Sequence, residues 1–568
     1  MTTEVPVPVT RAAGTARWGA LAGVAAAAAG LGVAELAAVL IGPRSAPVVA
    51  VGGVVVDHVP AGVKDAAIAV FGVHDKTALI VGTVVLLALA AAGIGALAVR
   101  SLAYAVGGVA LFGVIGVAAA LTREGADASW ALPSLVAVVA ALAAGWFLLR
   151  LVPGPTPTGS APARSPRTGS ATTDSTPHDS TPTDSTPTDS TPTASATTGA
   201  ATARRPRVET DPDARRRFLK NAGLVVAGAA VVGYAGRWMS TRRSVSAVRA
   251  AVTLPRPASP APALPTGIDP PGAPGLSAYT TSNTNFYRID TALSVPQVDP
   301  ETWSLRIHGR VAKPITITWA ELLQRPMVER YVTLACVSNE VGADLIGNAR
   351  WLGVPVKDLL DEAQPLDGAD QVVSRSVDGW TCGTPTGLLR DGRDALLAVG
   401  MNGEPLPIEH GFPVRMVVPG LYGYVSACKW ITEIELTSFA DFDAYWVPRG
   451  WSARGPIKTQ SRIDTPRRNR DVAPGPVTVA GVAWAQHTGV TRVEVSVDDG
   501  AWSDATLAAG VSADTWRQWT FPWQATPGDH TLRVRATDAT GAVQTEEETS
   551  VAPDGATGWH TVKVQVTD

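Results

Sequence analysis

Cys336 stands in the run YVTLACVSNE and is one of three cysteines in 568 residues. A thiolate is the soft ligand a transition metal takes. No further Cys or His lies at the close spacing a structural zinc site uses, and three widely spaced cysteines are not an iron-sulfur ligand set. A metal held at Cys336 therefore draws its other ligands from a cofactor. Read as a nucleophile, Cys336 with His308 or His410 as base makes a Cys-His hydrolase, although no oxyanion-loop signature accompanies it. Read blandly, it is a buried thiol. Cys382 and Cys428 can pair with each other, but three cysteines do not build a disulfide framework.

The elements that must position Cys336 come after a membrane region. Residues 18–42 carry one charge in 25 positions, and similar apolar stretches occupy 77–99, 101–121 and 131–149; each is long enough to span a bilayer. Their Ala and Gly content suits close helix contact, so residues 1–150 are expected to form a four-helix transmembrane region. Glu35 inside the first span is a functional candidate, because intramembrane carboxylates are costly. Residues 47–56 are apolar but too short to span. Arg11, Arg17, Arg100 and Arg150 fall on one side if the N-terminus is cytoplasmic, which sets an N-in orientation.

Residues 151–214 are rich in Pro, Ser and Thr, with DSTP units beginning at Asp174, Asp179, Asp184 and Asp189. That composition reads as a disordered tether. The string Arg215-Arg216-Arg217-Phe218-Leu219-Lys220 then precedes an apolar run, giving a fifth anchor over 215–240 that also resembles a twin-arginine export signal. Both readings put the chain beyond residue 240 outside the cytoplasmic membrane. An extended linker is expected over 241–275.

From 276 to 470, short alternating runs such as TWSLRIHG, PITITW and YVTLAC predict strands, with helices at WAELLQR and VPVKDLLDEA. This is an α+β domain whose end is marked by PRRNR. Residues 471–568 alternate apolar and polar positions in VTVAGVAW, TRVEVSVD and HTLRVRATD, the pattern of a β-sandwich. Trp484, Trp502, Trp516 and Trp519 are expected in its core or an interface. A net charge of -3 gives no support for a nucleic-acid partner.

The strings TNFYRID, TLACVSNEVGADLIGNARWLGVPVKDLL, MNGEPLPIEHGFPVRMVVPG, YGYVSACKW and GPIKTQSRID together resemble the sulfite oxidase-like molybdopterin oxidoreductases, over about residues 280–568. The sandwich is similar to that family's immunoglobulin-like dimerisation domain, so the resemblance implies a homodimer. It also implies a molybdenum-molybdopterin cofactor with Cys336 as the single protein ligand. Cofactor contacts are implied for Asn285, Phe286, Tyr287, Arg288, Ser338, Asn339, His410, Arg415, Lys429, Lys458, Ser461 and Arg462, and catalytic roles for Cys336, Arg288 and Trp451.

Glu340 and Val341 stand where sulfite-oxidising members carry arginines, and Trp451 falls near their active-site tyrosine. An anionic substrate wants convergent positive charge, so these departures argue against sulfite. The expectation is a multi-pass membrane enzyme whose catalytic domain faces outside, acting on a small substrate and passing electrons to a separate partner. A nonenzymatic membrane-anchored binding or sensor protein is the other class the membrane region supports.

Overall fold

The computed structural model describes residues 13–59, 63, 75–123, 126–153, 211–242, 245–467 and 471–567. The four DSTP units lie outside them. Among the described residues, five helices are long and apolar enough to cross a membrane: Ala13–Ile41, Asp75–Ala98, Leu102–Leu121, Leu132–Arg150 and Pro212–Arg242. They match the five expected spans. Leu86, Leu89, Val114, Val139 and Val231 lie exposed on them, as lipid-facing side chains do. The short apolar stretch is a helix of its own, Pro47–His58.

Contacts divide the chain into two units. The first comprises Met1–Ala29, Leu87–Val109 and Ala140–Gly228. Within it Trp18 meets Phe218 edge-on with centroids 5.2 Å apart. A Cβ on Gly19 would strike the Gly95 carbonyl, so the first two spans touch backbone to backbone, the contact small residues permit. The second unit comprises Gly30–Leu86, Ala110–Val139 and Ala229–Asp568. In it Glu35 lies where a Cβ on Gly236 of the last span would come 3.1 Å from its carbonyl carbon.

The domain after the last span is mixed α/β. One sheet runs in the order β2 (Ile315–Thr318), β1 (Ser304–Gly309), β10 (Ile431–Thr437), β5 (Gln371–Ser376) and β6 (Thr381–Pro385); β1 and β10 are parallel. The other runs β3 (Val328–Ala335), β4 (Ile346–Pro355), β7 (Leu396–Met401) and β8 (Glu404–Pro405), with β9 (Arg415–Val417) paired to β7. Alternation places Leu305 and Ile307 inward and Arg306 outward. The helices Trp319–Gln324 and Val356–Ala363 fall where expected, the first closed by a Thr318/Glu321 capping box.

The C-terminal sandwich has a sheet β11 (Gln460–Thr465), β13 (Gly475–Trp484), β17 (Arg517–Ala525) and β16 (Thr506–Leu507). Facing it are β12 (Asp471–Val472), β19 (His560–Val566), β18 (Gly528–Asp538), β14 (Val490–Val497) and β15 (Ser503–Asp504). Because β11 pairs with β13, the sandwich begins near residue 460, ahead of the expected boundary at 471. Trp519 is in its core, whereas Trp484 and Trp516 pack into the core of the preceding domain. Trp502 stacks edge-on with Trp559 at 4.9 Å.

Candidate active site

Cys336 directly follows β3, and its N–H donates to the Leu345 carbonyl at 2.9 Å. The thiol lines a cleft of about 940 Å³, open solvent included. Ser338 N–H donates to its Sγ at 3.4 Å. Burial raises the thiol pKa, and the Ser338 contact opposes that only in part. All three cysteines are buried and unbridged; Cys382 and Cys428 are neighbours but form no disulfide.

Three nitrogen-bearing side chains on separate elements line the same cleft. Arg415 comes from β9, is buried, and donates to the His410 carbonyl from Nη1 at 3.1 Å and to the Met416 carbonyl from Nε at 3.3 Å. No carboxylate pairs with it among the described residues, and burial lowers its pKa to about 10. Lys429 is held by Asp290 at 2.8 Å and lies 4.6 Å from the Trp430 ring centroid. Burial lowers its pKa to about 8, against the pull of Asp290. His410 Nε2 donates to the Asn283 carbonyl at 3.1 Å; burial and then Arg415 lower its pKa to about 4, so it is neutral at physiological pH.

Backbone geometry lets these groups converge. Gly411 has φ +113°, and a Cβ there would come 2.9 Å from Arg415 Cβ and 3.2 Å from Lys429 Cβ. Trp430 holds φ +52° and anchors its Nε1 on the Ile408 carbonyl at 2.8 Å. A bulky residue in the left-handed region is strained, and such positions cluster at functional sites.

Much of the cleft wall is aromatic. Trp451 packs against Tyr424 (5.8 Å) and Trp446 (6.1 Å), and Trp380 joins them in the lining. Phe286 and Tyr287 stack at 5.2 Å, with Phe286 edge-on to His410 at 5.6 Å. Tyr287 has its pKa raised by burial.

The structure thus gathers Phe286, Tyr287, Cys336, Ser338, His410, Arg415, Lys429 and Trp451 around one cleft. The other expected residues lie outside that lining. Asn285 is exposed, and Arg288, 40% exposed, reaches the site only through Asp290 at 2.9 Å. Asn339 accepts the Leu345 N–H at 2.8 Å and shapes the loop after the thiol. Lys458 is committed to Asp554 and the Gly555 carbonyl, and Ser461 to Gln544. Arg462 binds Asp464, the Ala343 carbonyl and Ser277. These three brace the sandwich and the loop rather than face the cleft. Glu340 and Val341 also lie outside the lining.

Sequence reasoning missed Asp290, Ser376, Asp378, Trp380, Tyr424 and Trp446, all in the lining. Ser376, Asp378 and Trp380 belong to SVDGW, which reads as an ordinary Asp-Gly hairpin turn. His308 binds Glu433 at 2.8 Å between β1 and β10 and is not in the cleft. With the Cys336 thiol pKa raised and His410 engaged with a carbonyl, the arrangement does not activate a thiolate for acyl transfer.

Among the described residues no group of three or more His, Cys, Asp and Glu side chains is placed to hold a metal ion. A single thiolate beside buried cations suits a metal carried on an anionic cofactor. Two further polar atoms, Ser376 Oγ in the lining and Asn339 Nδ2 beside it, are buried without a hydrogen-bond partner, and such groups are destabilising unless something pairs with them. The donor set fits a pterin bearing a phosphate.

Family models match at two places: an oxidoreductase molybdopterin binding domain over residues 292–446 and a bacterial Ig domain over 460–534. The mitochondrial sulfite oxidase of Mus musculus is 29% identical over 357 residues, covering 53% of this chain and 64% of that protein. The chain thus spans less than two thirds of that relative's length. The uncharacterized oxidoreductase YuiH of Bacillus subtilis (strain 168) is 33% identical over 175 residues, covering 30% of this chain and 83% of that protein. Among solved structures, the sulfane dehydrogenase SoxCD from Paracoccus pantotrophus aligns with a TM-score of 0.45 at 23% identity, over 51% of this chain and 82% of that one.

Proposed function

This chain belongs to the oxidoreductases with a molybdopterin-binding domain, relatives of the sulfite oxidases, and we propose from that premise that it is a membrane-anchored molybdenum enzyme acting outside the cytoplasmic membrane. The reaction is a two-electron oxygen-atom transfer to or from a small substrate. The observation that carries this reading is the Cys336 thiol, alone as a soft ligand, sharing one cleft with buried Arg415 and Lys429.

Cys336 would ligate the molybdenum. Arg415 and Lys429 would meet the phosphate, where their charge offsets its desolvation, and His410, Ser338 and Ser376 would hydrogen-bond the pterin. When bound, the cofactor supplies the two-electron oxygen-atom chemistry. The chain's own part is to position and to exclude. Asp290 keeps the Lys429 ammonium aimed at the site, and Trp380, Trp446 and Trp451 with Tyr424 narrow the cleft and shield a bound substrate from bulk water. Lys429 and Arg415 are assigned to the cofactor, and the cleft also has aromatic walls and the Asp378 carboxylate. That lining favours a neutral or dipolar substrate over sulfite.

The orientation follows from the basic flanks of the spans. Molybdenum and pterin analysis of the full chain, produced in a host that makes the cofactor, tests the reading. Wild-type protein should hold both, and Cys336→Ser should lose the metal while keeping its circular dichroism. A folded wild type without molybdenum or pterin would sink it.

A further inference from the structure

Thr291, Asp378 and Trp380 line the Cys336 cleft, and the same three residues line a second cavity of about 970 Å³, open solvent included. Its far wall comes from the N-terminal helical region, through Arg44, Asp57, Thr122 and Arg123 among others. Arg44 stands just past the end of the span Ala13–Ile41, and Thr122 and Arg123 directly follow Leu102–Leu121. The cavity therefore sits at the depth of a bilayer surface.

Its polar groups are fixed by one another. Asp57 Oδ2 pairs with Arg123 Nη1 at 2.6 Å, and Oδ1 accepts the Tyr445 hydroxyl at 3.3 Å. The Asp57 carbonyl accepts Arg449 Nη2 at 2.9 Å, and the Arg449 guanidinium lies 3.8 Å from the Tyr445 ring centroid. Arg44 Nη1 donates to the carbonyl of Val377 at 2.8 Å, beside Asp378. Val49, Val56 and Leu293 add apolar wall. Carbonyl oxygens on a flat apolar ring would find guanidinium N–H donors here, and a carboxylate-tyrosine pair stands ready to move protons.

Two electrons must enter or leave the cleft in each turnover, and this cavity is one side-chain layer away from it. We propose that it binds the head group of a quinone, which exchanges electrons with the cleft across Asp378 and Trp380; the assignment rests on the redox reading of the Cys336 cleft. In the oxidising direction the substrate takes an oxygen atom from water and releases two electrons and two protons. The quinone takes up two of each and leaves as quinol. In the reducing direction quinol supplies both and the substrate oxygen departs as water. Asp57 and Tyr445 pass the protons to and from the quinone oxygens.

The test uses the full-length, molybdenum-loaded protein in lipid nanodiscs with decylubiquinone and its quinol. Titration with the quinone should quench tryptophan fluorescence, and the quinol should generate the paramagnetic molybdenum signal that dithionite also generates. Asp57→Asn should weaken binding of the quinol, whose hydroxyl donates to the carboxylate, about tenfold, the worth of a charged hydrogen bond; Tyr445→Phe, which frees that carboxylate from its tyrosine partner, should change quinol binding too, and both should leave the dithionite-generated signal unchanged. Wild-type protein that gives the signal with dithionite but neither binds quinone nor responds to quinol overturns the quinone site and leaves the cleft reading intact. So do variants that bind as wild type does. Quinone binding in molybdenum-loaded protein that gives no signal even with dithionite overturns the cleft reading instead.

Discussion

Lys429 Nζ lies 2.8 Å from Asp290 Oδ2, and the two side chains are only 9% and 5% exposed. Breaking a buried pair from one side leaves an uncompensated charge, which costs about 3 kcal/mol or more. Asp290→Asn should therefore destabilise the folded protein by roughly that amount in urea unfolding. It should also lower the pH at which Lys429 loses its charge, because Asp290 is the group holding its pKa up. Pterin retention in the variant should then fall off at lower pH than in wild type. Retention profiles that superimpose would remove Lys429 from the phosphate site.

His410 gives the molecule an acid-side pH dependence. Its pKa falls from an ordinary 6.5 to about 4, first through burial and then through Arg415. Between those values the unfolded chain binds the proton that the folded chain refuses, so stability rises with pH across that window. The contribution is complete above pH 6.5 and lost by about pH 4, a swing of about 3 kcal/mol at most. Urea midpoints measured from pH 4 to 7 should show this slope in wild type and a shallower one in His410→Gln. Parallel slopes would mean that His410 carries a proton in the folded state.

The strands and the thiol were legible in the sequence because alternation and burial agree there. Leu305 and Ile307 face the core, and Cys336 follows a β3 strand whose last five residues are all buried. The position of β11 was not legible. Gln460, Ser461 and Arg462 are polar yet buried, each paired with Ala556, Gln544 or Asp464. A strand that buries its polar residues shows no apolar period, so the basic string after it looked like the domain boundary. Lys458, Ser461 and Arg462 were drawn in as cofactor contacts by the family resemblance of GPIKTQSRID, which carries no information on which side of the strand each one faces. Trp380 and Asp378 were hidden for another reason, since only tertiary packing turns a hairpin tip into a cleft wall.

Trp451 gives the cleft an aromatic wall, apart from the cations assigned to the cofactor. Trp451→Ala removes the ring that rests on Tyr424 and Trp446. Molybdenum content should stay at the wild-type level. The KM for a small dipolar substrate, chosen by a turnover screen of the wild type, should rise about tenfold, from roughly 1.4 kcal/mol of lost contact. Phenylalanine at 451 should recover much of that loss. A variant that loses molybdenum along with affinity would place Trp451 among the groups that retain the cofactor.

Arg462 acts on Cys336 at a distance. Its Nη1 holds the Ala343 carbonyl at 2.7 Å, in the loop that returns from the thiol to β4, while Nη2 reaches Ser277 at 3.1 Å and Nε reaches Asp464 at 2.6 Å. The side chain is 9% exposed. Arg462→Met keeps the aliphatic stem but leaves Asp464 without its ion-pair partner and the loop unpinned, a loss of about 3 kcal/mol. Amide hydrogen exchange should accelerate over residues 337–345 more than over β3 itself. Arg462→Lys restores the charge but not the fork, so it should recover stability more than loop protection. Equal recovery of both would show that charge alone, and not the three-way geometry of the guanidinium, sets the loop that carries Cys336.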